Sequence, residues 1–253
     1  MIKILIIGKK SFIGSNLYLY LKKRNFSKLL SFSEVKNKKE IFFKKFTHII
    51  NCSINPKYLK YKYNTKLDND LIIAKKIRNL DIKYIFFSTR KIYTPKYDIK
   101  ENSTPNPQCN YSKNKLITEK NLNYILKYKV LIYRVSNIVG LPKENNKRKV
   151  HQTFIDHFFY LAKKGIIFDN GKNYKDFISI KKFSEIIYFS IKKDIFGVYN
   201  ISIGKKIYIN KIIKWLNYYN KNKCKIVKLK KNLRNKDNFT LNNKKLMKII
   251  SFK

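Results

Sequence analysis

The residues best suited to catalytic chemistry are Tyr111 and Lys115, which stand four positions apart in a stretch with helical character. This spacing places a phenol and an ammonium on one helical face, one turn apart. A neighbouring ammonium favours the tyrosinate and lowers the phenol pKa towards working pH, so such a pair can transfer a proton to or from a bound substrate. The pair therefore indicates tyrosine acid/base chemistry.

Spacing alone does not select this pair, because a chain rich in Tyr and Lys repeats the pattern by chance. What selects Tyr111 and Lys115 is their neighbourhood: Ser88 and Thr89 end a strand upstream, prolines mark the helix start, and the strand Val130–Val135 follows. For the remaining pairs, a core or surface helix is the better interpretation. They are Tyr18/Lys22, Tyr58/Lys62, Tyr160/Lys164, Tyr188/Lys192 and Tyr219/Lys223.

A glycine-containing turn near the start of the chain could bind a diphosphate. An apolar strand runs into Gly8, and a helix begins at Phe12 and Ile13, just before Gly14. Gly8 can take a tight turn, and Gly14 lets helix and strand pack closely. The helix N-terminus offers free N–H groups and the positive end of its dipole to a pyrophosphate. Ser11 stands where a further glycine would let the backbone approach the phosphate more closely. The alternative interpretation is a turn with a purely structural role.

The elements that must position these residues alternate along the chain, with short apolar β-rich runs followed by longer helical stretches. Strands are predicted at 2–7, 28–32, 47–51, 83–88, 130–135 and 198–201. Helices are predicted at 12–24, 68–79, 111–127, 181–192, 210–219 and 242–250. This alternation is typical of a parallel sheet covered on both faces. The sequence therefore predicts an α/β protein with a Rossmann-type doubly wound parallel sheet.

Composition limits the classes that remain. The chain has 253 residues, of which 44% are hydrophobic, enough for one substantial core. Its cysteines, Cys52, Cys109 and Cys224, are far apart and form no CxxC motif, which argues against a disulfide framework or a zinc site and fits a reducing cytoplasm. No apolar run is long enough for a membrane span, and the first residues lack a signal-peptide layout. We expect a cytoplasmic protein without a membrane partner.

The formal net charge of +43 suggests attraction to nucleic acid or anionic membrane. The types of basic residue and their distribution along the chain speak against such a partner. Only six of the 58 basic residues are arginine, whose planar fork base-reading proteins favour. The lysines are spread through every segment, beside many Asn, Ile, Tyr and Phe residues that share A/T-rich codons. We interpret the charge as compositional drift and expect no specific nucleic-acid partner.

An ordered set of motifs resembles the extended short-chain dehydrogenases/reductases, the NAD-dependent epimerase/dehydratase kind that includes enzymes similar to dTDP-4-dehydrorhamnose reductase. Gly8, Ser11 and Gly14 stand where that family has GxxGxxG, with the middle glycine replaced. The resemblance extends from residue 2 to about residue 204. Its further stretches are Asn51-Cys52-Ser53, Asn64, Ser88-Thr89 with Tyr93, Glu101 to Lys115, Glu119, Arg134 to Gly140, Lys175 to Ile178 and Gly197 to Gly204.

The resemblance implies a catalytic triad of Thr89, Tyr111 and Lys115. Thr89 would donate a hydrogen bond to the substrate carbonyl while Tyr111 transfers a proton to that oxygen, and Lys115 would also hold the ribose hydroxyls of the cofactor. Asn137 and Lys175 would face the diphosphate of a nucleotide sugar, although Lys175 could equally be a surface lysine.

The resemblance also implies a nicotinamide dinucleotide cofactor. Ser33 lies at the end of the second predicted strand, near Lys36, and its lack of charge favours NADP over NAD. Glu34 is one residue away and would favour NAD. The predicted cofactor-binding residues are Gly8, Ser11, Phe12, Ile13, Gly14, Ser33, Asn51, Cys52, Ser53, Asn64, Tyr111 and Lys115.

Domain organisation follows from the same resemblance. Residues 1–140 and about 177–204 would form the NAD(P)-binding domain. Residues about 141–176 and 205–253 would form a small substrate-binding lobe, largely C-terminal. Family members often form homodimers through the helices that flank the fourth and fifth strands, and a homodimer is implied here.

The residues after Thr89 narrow the reaction. The nucleotide-sugar dehydratases of this family follow the catalytic Thr with an acidic pair, whereas here Arg90 and Lys91 follow. Dehydration is therefore disfavoured, which leaves reduction of a keto-sugar or a 4-epimerase cycle, and we favour reduction. A non-catalytic NAD(P)-binding sensor is a further alternative, but it would be expected to lose Thr89, Tyr111 or Lys115.

Overall fold

The computed structural model describes residues 1–140, 160, 166–169, 171–220, 225–228 and 237–250. Its centre is a six-stranded parallel sheet with the order β10-β5-β4-β3-β1-β2. These strands are β1 (Lys3–Ile7), β2 (Phe26–Leu30), β3 (His48–Asn51), β4 (Lys83–Thr89), β5 (Val130–Val135) and β10 (Gly197–Ile201). The prediction of a doubly wound α/β sheet is confirmed.

Helices connect and cover the strands. They are α1 (Phe12–Leu21), α2 (Phe32–Val35), α3 (Glu40–Phe43), α4 (Pro56–Lys60), α5 (Asn69–Ile77), α6 (Asn110–Leu126), α7 (Ile180–Lys192), α8 (Ile209–Asn220) and α9 (Lys244–Ile249). Short 3-10 helices occur at Thr65–Leu67, Arg90–Ile92 and Lys127–Lys129. Because all connections in the main sheet are parallel crossovers, the carboxyl ends of β1, β3, β4 and β5 meet at one edge.

The sheet is buried on both faces, which explains why its strands read as continuous apolar runs. Along β1, Ile4 and Ile6 belong to a core shared with α1 and α7. Leu5 and Ile7 belong to the opposite core, shared with α5 and α6. This alternation is what a pleated strand with period two produces between two helical layers.

The end of β2 differs from the prediction. The sequence predicts a strand over 28–32, but β2 ends at Leu30 and α2 begins at Phe32. The reason is a capping box: the Glu34 carboxylate accepts from the Ser31 backbone N–H at 2.7 Å, and Glu34 N–H donates to Ser31 Oγ. Two donors at the helix start are thereby satisfied, which local β propensity does not anticipate.

Smaller strand pairs lie beyond the main sheet: β6 (Asn137–Val139) with β9 (Phe177–Ser179), β8 (Tyr174–Lys175) with β11 (Ile207–Tyr208), and β7 (Ile166–Asp169) with β12 (Lys225–Lys228). Much of the predicted substrate lobe, including most of 141–165, lies outside the described residues, so the domain division stays a prediction. Among the helices that the structure describes, none has the length and apolar character needed to span a membrane.

Candidate active site

The glycine turn is held by close contacts between three elements. Gly8 follows β1 with a φ of +127°, and a Cβ built there would lie 2.9 Å from the backbone carbon of Cys52. A Cβ on Gly14 would lie 2.5 Å from the Gly8 carbonyl oxygen. Both positions therefore require glycine, and the turn brings the N-terminus of α1 against β1 and the residue after β3.

Ser11 caps the first helix. Its Oγ accepts from the Gly14 backbone N–H at 3.3 Å, and its own N–H donates to the Gly8 carbonyl at 2.8 Å. The Ser11 side chain therefore caps the start of α1 and does not project away from the helix. Phe12 and Ile13 occupy the first turn of α1, where backbone N–H groups have no partner within the helix. A diphosphate is the kind of group that such a turn can bind.

The segment after β3 is organised by Asn51. The buried Asn51 side chain accepts from Ser53 N–H at 2.9 Å and from Ser53 Oγ at 2.6 Å, and it donates to Asp70 at 2.8 Å. Cys52 lies beneath the glycine turn, where burial raises the pKa of its thiol well above the ordinary value. Cys52 thus contacts the glycine turn, and the assignment of Asn51, Cys52 and Ser53 to the cofactor stays a prediction.

A cleft of about 600 Å³ opens beside this segment, between the ends of β2 and β3 and the start of α5. Ser33 and Ser53, both predicted to bind the cofactor, lie on its wall together with Lys36. Its full lining is Phe32, Ser33, Lys36, Asn37, Ser53, Ile54, Asn55, Pro56, Lys66, Asn69 and Ile72. A glycine turn followed by a cleft at the second strand end is the arrangement that a dinucleotide requires, so the residues present fit this group.

Asn64 is placed differently from the other predicted cofactor residues. Its side chain is exposed and caps the 3-10 helix Thr65–Leu67 by accepting from Lys66 N–H at 2.9 Å. Its assignment to the cofactor stays a prediction.

Thr89 and Tyr111 meet at the carboxyl edge of the sheet. Thr89 is the last residue of β4 and is buried, while Tyr111 lies in the first turn of α6. The Thr89 hydroxyl lies near Tyr111. Burial raises the pKa of Tyr111 to about 12, and the nearby Thr89 hydroxyl opposes that rise. In the structure as it stands, Tyr111 therefore keeps its proton at neutral pH.

Lys115 lies one turn further along α6 with only 8% of its side chain exposed. Its Nζ is 4.3 Å from the centre of the Phe86 ring and 3.8 Å from a carboxylate oxygen of Asp70. The sequence analysis did not identify Asp70. An acid in the first turn of a helix normally complements the helix dipole, and no local pattern indicates that it meets a lysine on another helix.

A buried network fixes the carboxyl edge of the sheet and joins several of the motifs that carry the resemblance. Arg134 donates to Glu119 at 2.7 Å and to the Tyr93 hydroxyl at 2.7 Å. Tyr93 donates to Asn200 at 3.2 Å, and Asn200 N–H donates to Glu101 at 2.9 Å. These bonds tie together β5, α6 and β10 with the segment after β4, so the frame around Thr89 is held by paired charges and hydrogen bonds.

On the far side of Thr89, Arg90 and Lys175 share one carboxylate. Each cation lies 2.7 Å from Asp237, and the two basic side chains are only 9% and 10% exposed, against 55% for Asp237. Burial lowers the pKa of Lys175, with Asp237 opposing. Asn137 donates instead to the Asp176 carbonyl at 3.0 Å. The sequence analysis missed Arg90 and Asp237 as partners, because they are 147 residues apart.

The doubly wound sheet and its glycine turn define a Rossmann-type dinucleotide-binding protein, and the threonine, tyrosine and lysine at the carboxyl edge are side chains of the kinds that can transfer a proton. A family model described as NAD dependent epimerase/dehydratase family matches residues 36–202, more than half of the chain. The chain belongs to this family and is an NAD(P)-dependent enzyme. The resemblance predicted from the motifs is thus confirmed.

Solved structures share the fold at low sequence identity. UDP-N-acetylglucosamine 4-epimerase from Methanobrevibacter ruminantium superposes with a TM-score of 0.78 at 20% identity, over 99% of this chain and 92% of the other. A dTDP-4-dehydrorhamnose reductase from Clostridium acetobutylicum gives 0.77 at 17% identity, over 98% and 92%. UDP-glucose 4-epimerase from Thermotoga maritima gives 0.76 at 17%, over 98% and 92%. A comparison with curated protein sequences finds no match.

Proposed function

We propose that this protein reduces a keto group on a nucleotide-linked sugar, with NADPH as hydride donor and Tyr111 as proton donor. The observation that carries the proposal is the position of Thr89 beside Tyr111 at the carboxyl edge of the sheet, with Lys115 one turn further along α6. The similar structures include a reductase and epimerases whose names specify nucleotide sugars, which supports this substrate class.

Tyr111 is the proposed proton donor. A phenol with a pKa of about 12 is protonated at neutral pH and can donate its proton to a carbonyl oxygen during reduction. The bound reduced cofactor supplies hydride to the carbonyl carbon. Thr89 would hold the carbonyl oxygen, Tyr111 would give its proton to that oxygen, and Lys115 would stabilise the tyrosinate left behind. The 4-epimerase and the non-catalytic sensor remain the alternatives.

Cofactor choice follows from the start of α2. Glu34, the acid that could bind the adenosine ribose hydroxyls of NAD, is engaged in the capping box with Ser31. Hydrogen bonds from Ser31 lower the pKa of Glu34, so it remains an anion fixed to the helix start. Ser33 and Lys36 line the cleft in its place. A neutral hydroxyl and an ammonium suit the 2′-phosphate of NADP.

For the substrate, we assign the diphosphate to the surface formed by Arg90 and Lys175. Two nearly buried cations facing a single, half-exposed carboxylate leave an excess of positive charge one residue from Thr89. A diphosphate is the part of a nucleotide sugar that can use such a charge. Arg90 and Lys91 also leave no acid next to Thr89, which speaks against dehydration.

The test is a panel of nucleotide 4-keto-sugars mixed with NADPH or NADH and followed by absorbance. The proposal predicts oxidation of NADPH with at least one of these substrates, faster than oxidation of NADH. Interconversion of UDP-sugar epimers without net cofactor oxidation would support the 4-epimerase instead. Tight cofactor binding with no turnover on either kind of substrate would support the sensor.

A further inference from the structure

The Asp70 carboxylate is the least expected feature of the site. Asp70 lies in the first turn of α5 and is 5% exposed. One carboxylate oxygen accepts from Asn51 Nδ2 and from the Tyr84 hydroxyl, each at 2.8 Å. The other oxygen faces Lys115 Nζ at 3.8 Å. A buried acid that is held on one side and faces a catalytic lysine on the other requires an explanation.

The surroundings of Lys115 show what the acid supplies. The ammonium lies over the rings of Phe86 and Tyr58, at 4.3 Å and 5.9 Å from their centres. Aromatic faces attract a cation only weakly, and burial of an unpaired ammonium is costly. Asp70 provides the nearby negative charge. Because two hydrogen bonds hold its first oxygen, the second has a defined position from which to orient the ammonium.

We propose that Asp70 is a positioning residue that anchors the Lys115 ammonium from one side, so that its remaining N–H donors face the nicotinamide ribose. This inference rests on the proposed cofactor site. The negative charge has a second effect, since it contributes to raising the pKa of Tyr111 and so helps that residue keep its proton.

Several ionisable groups face Asp70 from the surrounding elements. They are Lys115 and Tyr111 on α6, Tyr84 on β4, Tyr58 on α4, Cys52 after β3 and Asp68 at the start of its own helix. Burial raises the pKa of Asp70 above the ordinary carboxyl range, with Lys115 opposing. Asp70 is therefore expected to take up a proton under mildly acidic conditions, and its protonation would release Lys115.

Asp68 offers a matched control. It is equally buried and lies at the cap of the same helix, where it accepts from the backbone N–H groups of Asp70 and Leu71 at 3.1 Å. Its other carboxylate oxygen accepts from Thr118 at 2.6 Å and Tyr63 at 2.8 Å. All of these donors are neutral, so removal of this charge tests a structural role without touching Lys115.

The experiment measures the Kd of NADP⁺ by calorimetry for the wild type, Asp70→Asn and Asp68→Asn, with melting temperatures recorded in parallel. Loss of one charge-assisted contact predicts a Kd about tenfold higher for Asp70→Asn. For Asp68→Asn we expect a lower melting temperature and a Kd within about twofold of wild type, because its loss acts on the helix cap.

A pH series needs no variant and therefore remains valid if Asp70→Asn does not fold. NAD⁺ serves as the probe, because its phosphates do not titrate in this range, whereas the 2′-phosphate of NADP⁺ does. As the pH falls from about 8 to about 5, wild-type affinity for NAD⁺ should fall because Asp70 takes up a proton.

The outcomes separate the two proposals. If the wild type binds neither dinucleotide, both the proposed function and the role of Asp70 are overturned. If the wild type binds but its affinity is independent of pH, the role of Asp70 is overturned and the proposed function stands. Equal Kd values for Asp70→Asn and wild type lead to the same conclusion, as does a change of equal size in Asp68→Asn.

Discussion

At the scale of single residues, the protein combines one proton donor with groups that set its charge state. Burial raises the pKa of Tyr111 and Thr89 lowers it, and the balance leaves the phenol protonated at neutral pH. The sequence selected Tyr111 among many Tyr-x-x-x-Lys pairs by neighbourhood alone. The expectation that Lys115 lowers the pKa of this phenol was wrong, because burial raises that pKa and arises only where β4 and α6 come together.

Replacement of the proton donor is the first prediction. Tyr111→Phe removes only a hydroxyl, so we expect keto-sugar reduction to fall by about 10²- to 10⁴-fold. Cofactor affinity should change little, because the ring remains in place. Steady-state absorbance and calorimetric titration measure the two quantities, and Tyr188→Phe, at another pair with the same spacing on α7, serves as the control. Undiminished turnover in Tyr111→Phe would mean that another group donates the proton.

The pH dependence of stability belongs to the residue scale as well. Burial lowers the pKa of His48 to about 4, with Asp194 opposing. The unfolded chain takes up the proton at its ordinary value of 6.5, so stability is lost as the pH falls from that value through the folded one. Relative to His48→Gln, the wild type should lose about 3 kcal/mol of unfolding free energy between about pH 7.5 and about pH 4. Urea titrations at both pH values measure this difference, and a constant gap between the two proteins would refute it.

At the scale of elements, the sequence predicted the six strands of the main sheet and the longer helices that cover it. The strands are buried on both faces, so each leaves a continuous apolar run that is visible without tertiary information. The short helices α2, α3 and α4 were not predicted. At α2, a capping box over Ser31 and Glu34 competes with β propensity over a few residues. Contacts such as Lys115–Asp70 and Arg90–Asp237 join distant elements and leave no local signal.

The packing of α1 against the glycine turn gives an element-scale prediction. A Cβ at position 14 would lie 2.5 Å from the Gly8 carbonyl oxygen, so Gly14→Val must push helix and turn apart. Overpacking of this kind costs about 1–3 kcal/mol, which corresponds to cofactor binding weaker by a factor of about 5 to about 150 if the displacement falls on the binding site. Lys22→Val, at the exposed end of the same helix, controls for a β-branched residue. Wild-type affinity in Gly14→Val would exclude the turn as the diphosphate site.

At the scale of the whole molecule, the chain carries a net charge of +43 on a fold that binds a dinucleotide. Lysines lie on most elements of the described chain, and only a few meet an acid at short range. The lysines on this surface repel one another. The Arg134–Glu119 ion pair lies in the interior and joins β5 to α6.

Association is the prediction at this scale. Tyr124, near the end of α6, and Tyr128, in the 3-10 helix that follows, are 85% and 63% exposed. We propose that they lie in a homodimer interface formed by the helices around β4 and β5, as the family resemblance implies. Sedimentation velocity should give a dimer for the wild type and a monomer for the double variant Tyr124→Glu/Tyr128→Glu, while Tyr97→Glu, equally exposed elsewhere, should remain dimeric. A monomeric wild type would contradict the proposed homodimer interface.

A crystal structure with NADP⁺ bound tests the central claim most directly. The account predicts the pyrophosphate on the N-terminus of α1, the adenosine half in the cleft beside Ser33, and the nicotinamide beside the hydroxyl groups of Thr89 and Tyr111. A dinucleotide bound elsewhere, or a Tyr111 hydroxyl remote from the nicotinamide, would contradict it.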